Sequence, residues 1–259
     1  MPDVDSPALL WCDEVTVRFG GLVALDSVHL SAATGEITGL IGPNGAGKTT
    51  LFNVLTGVLT PTHGRVRYDG HDITSWAPHR RGRAGIARTF QRLELFIGLT
   101  VYDNLLCAWE ASVPGGVVGR QSGEGHQLVG EVIERLGIQD IAMRPAGELP
   151  TGQGRLLELG RAMCTNPRLL LLDEPSSGLD SAETARFRDI LLDLVAVDDI
   201  AILLVEHDMG LVMEVCDRIT VLDFGKCISV GTPDEVRNDQ AVIAAYLGGP
   251  EVEVRAAAG

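Results

Sequence analysis

The stretch GPNGAGKTT, residues 42 to 50, sets three glycines, a lysine and two threonines in a fixed order. It fits G-x-x-x-x-G-K-[ST] and lies between a strand-like and a helix-like segment, as that motif requires. Gly42, Pro43, Asn44, Gly45, Ala46 and Gly47 can turn backbone N–H groups inward onto phosphate oxygens. The helix opening at Lys48 adds its partial positive charge. Lys48 can reach the β- and γ-phosphates of a nucleoside triphosphate, the Thr49 hydroxyl can ligate Mg²⁺, and Thr50 completes the motif. A second stretch, LLLLDEP, ends an apolar run in two adjacent acids, Asp173 and Glu174. Two acids after a buried strand are costly unless a cation or a proton-accepting role offsets their charge. Asp173 is placed to hold Mg²⁺ through water, and Glu174 to polarise an attacking water. A third stretch, LPTGQGR (149 to 155), has the glycines of a phosphate loop with one part replaced. Phe19, Gln91 and His207 are unremarkable alone: a core aromatic, a loop amide and a histidine at a strand end.

Positioning these groups takes strands that end at them and helices that start from them. Val15, Val17 and Phe19 alternate with polar residues, as in a half-buried strand. EITGLIG (36 to 42) is a strand running into the glycine loop, KTTLFNVLTG is a helix ending at Gly57, and GRVRYDG (64 to 70) is a strand between glycine turns. From about 95 to 145 the pattern is helical, with Leu128, Val132, Ile133 and Leu136 on one face. A glycine-rich interruption covers 113 to 125. After 155 the chain alternates helix and strand. RLLLLDEP is a strand covered on both faces. Phe187, Ile190, Leu191, Leu194 and Val195 share a helix face. IAILLVEH and RITVLDFGK are further strands. This alternation predicts an α/β sheet flanked by helices, and no internal repeat is visible. The tail EVEVRAAAG is expected to be disordered.

Composition narrows the function. The chain has 259 residues and a net charge of −14, which disfavours nucleic acid as a partner, because such binding relies on Lys and Arg to neutralise phosphates. The basic run HRRGR (79 to 83) reads as a solvated loop. Five cysteines without a CxxC spacing argue for reduced thiols rather than disulfides or zinc. No apolar run approaches the roughly 18 to 20 residues of a membrane span, and the start lacks a signal peptide. A cytoplasmic protein is expected, held at any membrane by another subunit.

Taken in order, Phe19, the P-loop, Gln91, LPTGQGR, LLLLDEP, SGLD (177 to 180) and His207 resemble the ATP-binding-cassette (ABC) ATPases. The resemblance runs from about residue 9 to 249. It implies a P-loop NTPase core with an N-terminal antiparallel β subdomain and an inserted helical subdomain, about 93 to 165, in one domain of residues 8 to 249. It also implies ATP and Mg²⁺ as ligands. Phe19 would stack on adenine. Gln91 would touch Mg²⁺ and sense a membrane subunit. Glu174 would be the general base, and His207 would contact the γ-phosphate. Asp180 would belong to the loop crossing a dimer interface. Pro150, Thr151, Gly152 and Gln153 would meet the γ-phosphate of ATP held by a second ATPase subunit.

RFGGLVAL, GIARTFQRLELFIGLTVYDNLL and GTPDEVRNDQAVIAAYLG further resemble the ATP-binding subunits of branched-chain amino-acid importers. That resemblance implies polytopic permease partners, a solute-binding protein beyond them, and a place on the inner face of the plasma membrane. The segment from Gln91 to about Arg144 is the expected docking surface for the permease, motivated by the apolar LELFIGLTV after Gln91. Importers of urea or short-chain amides are similar. A soluble ABC ATPase or a P-loop kinase would share the P-loop, but a kinase would not need residues 149 to 155. In the family that loop usually reads Leu-Ser-x-Gly-Gln. Leu149, Gly152 and Gln153 match, Pro150 replaces the serine, and Gly154 stands where Gln or Lys is common. A lost hydrogen bond to a charged group is worth about 1.5–3 kcal/mol, so one of two ATP sites is expected to be weak and the partner to be a paralogue.

Overall fold

The computed structural model describes residues 8–113 and 122–247. The tail EVEVRAAAG and most of the glycine-rich interruption lie outside the described residues. Along the chain run β1 (Ala8–Phe19), β2 (Leu22–Ala33), β3 (Ile37–Ile41), α1 (Lys48–Leu55), β4 (His63–Tyr68), β5 (His71–Asp72), α2 (Pro78–Arg83), β6 (Ile86–Arg88) and α3 (Val101–Ser112). Then follow α4 (Ser122–Leu136), α5 (Thr151–Met163), β7 (Leu169–Asp173), α6 (Ser181–Asp198), β8 (Ala201–Val205), α7 (Met209–Val215), β9 (Arg218–Asp223), β10 (Lys226–Gly231), α8 (Pro233–Asn238) and α9 (Gln240–Leu247). They fall into two compact units. One holds the described residues up to Pro78 and from Ala201 onward, and the other holds His79–Ile200.

In the first unit β1, β2, β4 and β5 form an antiparallel sheet in the order β2-β1-β4-β5. Val15 and Val17 face its core, but Phe19, at the strand end, is 52% exposed. The alternation therefore fails at its last member, and Phe19 is a surface aromatic. A second set of strands is built around β3, which pairs in parallel with β8 and β9, while β10 returns antiparallel to β9. Every residue of β3 and β8 is buried, which is why both read as continuous apolar runs. The β9–β10 turn places Phe224 at φ 42° and Gly225 at φ 77°. Its backbone grips two other segments: Gly225 accepts from Asp26 N–H at 2.8 Å and donates to Ala46 O at 3.0 Å.

In the second unit β6 and β7 pair in parallel, with Arg88 opposite Leu171. Leu169, Leu170, Leu171 and Leu172 are fully buried. Helix α4 begins at Ser122, inside the stretch expected to be a loop. Gly125 is tolerated there because a β-carbon would strike the Trp109 ring. Val129, Val132, Ile133 and Leu136 are the buried face of α4, and Leu128 is half-buried. Helix α6 opens with a capping box. The Asp180 carboxylate accepts from the N–H groups of Ala182 and Glu183, and Glu183 accepts from Asp180 N–H. At the far end of α4, Arg135 pairs with Asp193 at 2.8 Å and also with Asp198.

All five cysteines are free thiols. Burial pushes Cys12, Cys164 and Cys216 up to about 12, so at pH 8 roughly one part in ten thousand is thiolate, the reactive form. These three are expected to resist alkylation in the native protein and react after denaturation. Mass-spectrometric mapping checks this, and native labelling of Cys12 or Cys216 contradicts the packing.

Candidate functional site

In the first unit the site grows from the junction of β3 and α1. Gly42 sits at φ 150°, where a β-carbon would strike the Leu222 carbonyl oxygen. Gly47, the residue before α1, sits at φ 104°, and a β-carbon there would meet Leu25 Cδ2 at 2.8 Å and Ala24 O at 2.9 Å. Neither position admits a side chain, so the backbone lies open to an approaching anion. Between them Ala46 N–H donates to Pro43 O at 3.1 Å and closes the turn. Lys48 is buried, and its Nζ donates to Gly42 O at 2.6 Å and Pro43 O at 3.1 Å. The lysine thus folds back over the loop and holds a positive charge at the helix start. No acidic residue occupies the first turn of α1. Asn44, Gly45 and Thr49 are exposed, and Thr50 is half-exposed. His207, also exposed, follows β8, and its N–H donates to the buried Glu206 carboxylate at 3.0 Å. Asp208 then caps α7.

In the second unit the site grows from the end of β7. Asp173 is buried, and its Oδ2 accepts from Arg88 Nη2 at 2.9 Å. Glu174 adopts φ 51°, an unfavourable backbone for a non-glycine residue, of a kind found at functional sites. Its carboxylate accepts from Gln91 Nε2 at 2.9 Å. Gln91 and Glu174, predicted as separate actors, are therefore brought together.

Sequence reasoning missed the group that holds Gln91. Arg155 in α5 donates to Phe90 O at 3.0 Å and to Gln91 O at 2.7 Å, and it pairs with Glu158 at 3.1 Å. Glu158 in turn accepts from Phe90 N–H at 3.0 Å. Burial pushes the Glu158 carboxyl up, opposed by the Phe90 N–H and the Arg155 charge. A charged i, i+3 pair inside an otherwise buried helix was the available signal.

Helix α5 begins within LPTGQGR, at Thr151. Pro150 is the N-cap, with φ −57° and ψ 158° and no capping side chain, and its carbonyl accepts from Gly154 N–H at 2.9 Å. Thr151 is exposed. Gly152 is buried under the Glu183 carboxylate, which leaves no room for a side chain. Gln153 Oε1 is buried without a hydrogen-bond partner among the described residues.

Pro150→Ser tests the cap. A serine N-cap is worth about 1 kcal/mol, and removing proline costs about 0.4–1 kcal/mol through the unfolded chain. The midpoint of thermal unfolding is therefore expected to stay nearly constant.

A glycine cradle at a strand–helix junction and an Asp-Glu pair ending a buried strand define a P-loop nucleoside triphosphatase. The family described as ABC transporter matches residues 25–177. A second, described as branched-chain amino acid ATP-binding cassette transporter, matches residues 226–252. Among relatives, the high-affinity branched-chain amino acid transport ATP-binding protein BraF of Pseudomonas aeruginosa is 39% identical, over 94% of this chain and 99% of its own. LivG of Escherichia coli, which carries the same description, is 40% identical over the same shares. A solved nucleotide-free ATP-binding cassette from an ABC transporter superposes with a TM-score of 0.84 at 32% identity, over 93% of this chain and all of that one. The chain belongs to the ABC transporter family and is one of its ATP-binding, ATP-hydrolysing subunits.

Proposed function

We propose that this chain powers an importer of branched-chain or other hydrophobic amino acids, from the inner face of the plasma membrane, bound to permease subunits. The observation that carries this reading is the match of residues 226–252 to the branched-chain transporter model. It falls on β10, α8 and α9, outside the catalytic motifs shared by all cassettes. Across one bound MgATP, Phe19 stacks on adenine and the backbone from Gly42 to Thr50 wraps the phosphates. Lys48 neutralises the β- and γ-oxygens, and His207 meets the γ-phosphate.

The oxygen groups proposed to serve a cation are the Thr49 hydroxyl in the first unit and, in the second, the Gln91 amide and, through water, the Asp173 carboxylate. No cluster of three or more carboxylate, histidine or cysteine ligands exists among the described residues. Hard oxygen donors with few carboxylates suit Mg²⁺, which keeps several waters and takes much of its shell from substrate phosphates. When bound, Mg²⁺ neutralises charge on the β- and γ-phosphates. Glu174, oriented by Gln91, accepts the proton of the attacking water. The start of α5 serves the ATP of a second, paralogous ATPase subunit, with Asp180 crossing the same interface. The whole of residues 8 to 249 works as a single cassette.

The second unit offers a docking surface for the permease. Phe90, Leu93, Phe96 and Leu99 are exposed, and Ile97 is 71% exposed. Beside them opens a cavity of about 390 Å³ lined by Arg83, Arg88, Glu94, Ala108, Glu158 and Arg161, among others. An exposed apolar patch rimmed by charge marks an interaction surface. Reconstitution in vesicles with permease subunits and a solute-binding protein of a branched-chain amino-acid importer tests the reading. Leucine, isoleucine or valine is expected to stimulate hydrolysis and uptake. Stimulation by urea alone would reject the amino-acid assignment. Crosslinks from a cysteine at position 97 to a permease loop would support the docking surface.

A further inference from the structure

Arg88 touches two places that the proposed function keeps separate. It ends β6. Its Nη2 lies 2.9 Å from Asp173 Oδ2, with the two side chains 11% and 8% exposed. Its guanidinium carbon stands 5.0 Å from the centroid of the Phe90 ring, and it lines the cavity that also holds Glu94, Glu158 and Arg161. Of the other arginines lining that cavity, Arg161 donates to the Glu94 carbonyl and stacks on Phe96 at 4.7 Å. Arg88 is thus the side chain that spans from the cavity to the carboxylate at the end of β7. Gln91 makes a parallel link to Glu174 at 2.9 Å.

We infer that Arg88 is a positioning residue that neutralises Asp173 in place of the divalent cation and yields it when the permease fills the cavity. This rests on the reading of Asp173 as a Mg²⁺ ligand and of the cavity as the permease's seat. The physical reason is competition. A guanidinium and the water shell of a divalent cation seek the same carboxylate, and the two positive charges repel each other at short range. Asp173 is buried, so leaving its charge without a positive partner is costly. A permease group entering the cavity offers Arg88 a different partner and leaves Asp173 to the cation. Coupling then has two arms from the same loop, with Gln91 setting the base and Arg88 setting the cation site.

The test uses Mn²⁺ as a spectroscopic stand-in for Mg²⁺, titrated into the full chain with a saturating non-hydrolysable ATP analogue and followed by electron paramagnetic resonance. Arg88→Met keeps the apolar stem and removes the charge. It is expected to tighten Mn²⁺ about three- to tenfold, because a like charge near the ion is gone. It should also enlarge the rise in thermal midpoint that Mn²⁺ produces. With the permease present, the ratio of stimulated to basal hydrolysis should fall by a similar factor. Unchanged or weaker Mn²⁺ binding in a folded variant overturns the inference, as does an unchanged stimulation ratio.

Should Arg88→Met fail to fold, Arg88→Lys carries the test. Lysine keeps the charge but loses the fork, and about twofold tighter Mn²⁺ is expected, since the pair is looser. Equal affinity overturns the inference. Asp173→Asn separates the two layers. If it leaves Mn²⁺ binding intact, the underlying cation assignment fails. If it abolishes binding while Arg88→Met changes nothing, the role of Arg88 alone fails.

Discussion

Lys48→Ala is expected to lower ATP hydrolysis at this chain's own P-loop by a factor of a hundred or more. Removing one preorganised electrostatic donor costs about 2.7–4 kcal/mol of transition-state stabilisation. The chain has two lysines, and Lys226 is paired with Asp26 at 3.3 Å. The Nζ of Lys48 already rests 2.6 Å from Gly42 O, so a short swing delivers it from the loop carbonyls to a phosphate. The fold should survive, because alanine is the best helix former and Lys48 opens α1 rather than filling the core. Nucleotide titration, steady-state hydrolysis and circular dichroism together check this. A folded variant with near-native turnover would sink the P-loop assignment. Lys48→Arg is not expected to rescue, since a planar guanidinium does not reproduce the compact point charge of an ammonium.

The parts of this site legible in sequence are those where backbone geometry forces the residue type. Gly42 and Gly47 had to be glycine because carbonyl oxygens and a leucine occupy the space of a β-carbon. The four leucines before Asp173 had to be apolar because β7 is buried throughout. Strands and helices of this kind announce themselves by period and punctuation. Side-chain partnerships do not. Nothing in RTFQRLELF shows that Arg88 reaches Asp173, 85 residues away in sequence, or that Arg155 holds the Gln91 carbonyl. Such contacts depend on which strand lies beside which, and the β6–β7 pairing is set by long-range packing rather than by local pattern. Phe19 fails for the opposite reason. Its alternation with Val15 and Val17 is real, but β1 ends there, and a strand's last residue need not face the core. The start of α4 fails because SGEG looks like a turn. Packing of Gly125 against Trp109 overrides the low helix propensity of glycine.

Glu174→Gln is expected to have the second large effect, and it also tests the proposed pairing with a paralogous ATPase. The substitution keeps size and shape, so the link to Gln91 at 2.9 Å can be remade between two amides. What is lost is the proton acceptor, and general-base catalysis contributes about 10²–10⁴ in rate. In the proposed pair, one ATP site joins Lys48, Asp173, Glu174 and His207 of this chain to the partner's signature loop. The other joins the partner's P-loop to Pro150, Thr151, Gly152 and Gln153. The second lacks the serine hydroxyl, and a loss of about 2 kcal/mol of transition-state contact corresponds to roughly thirtyfold in rate. With a partner whose signature loop is normal, steady-state hydrolysis of the assembled transporter is expected to come almost wholly from the first site. Glu174→Gln in this chain should remove most of it, and the equivalent change in the partner should remove little. The reverse pattern would reject the asymmetry. Equal losses would mean that the helix start at Thr151 serves the partner's phosphate as well as a serine does. Adding Pro150→Ser to a complex already carrying Glu174→Gln isolates the weak site. A rise of several-fold in its residual turnover is then expected, against the low background left when the fast site is silent.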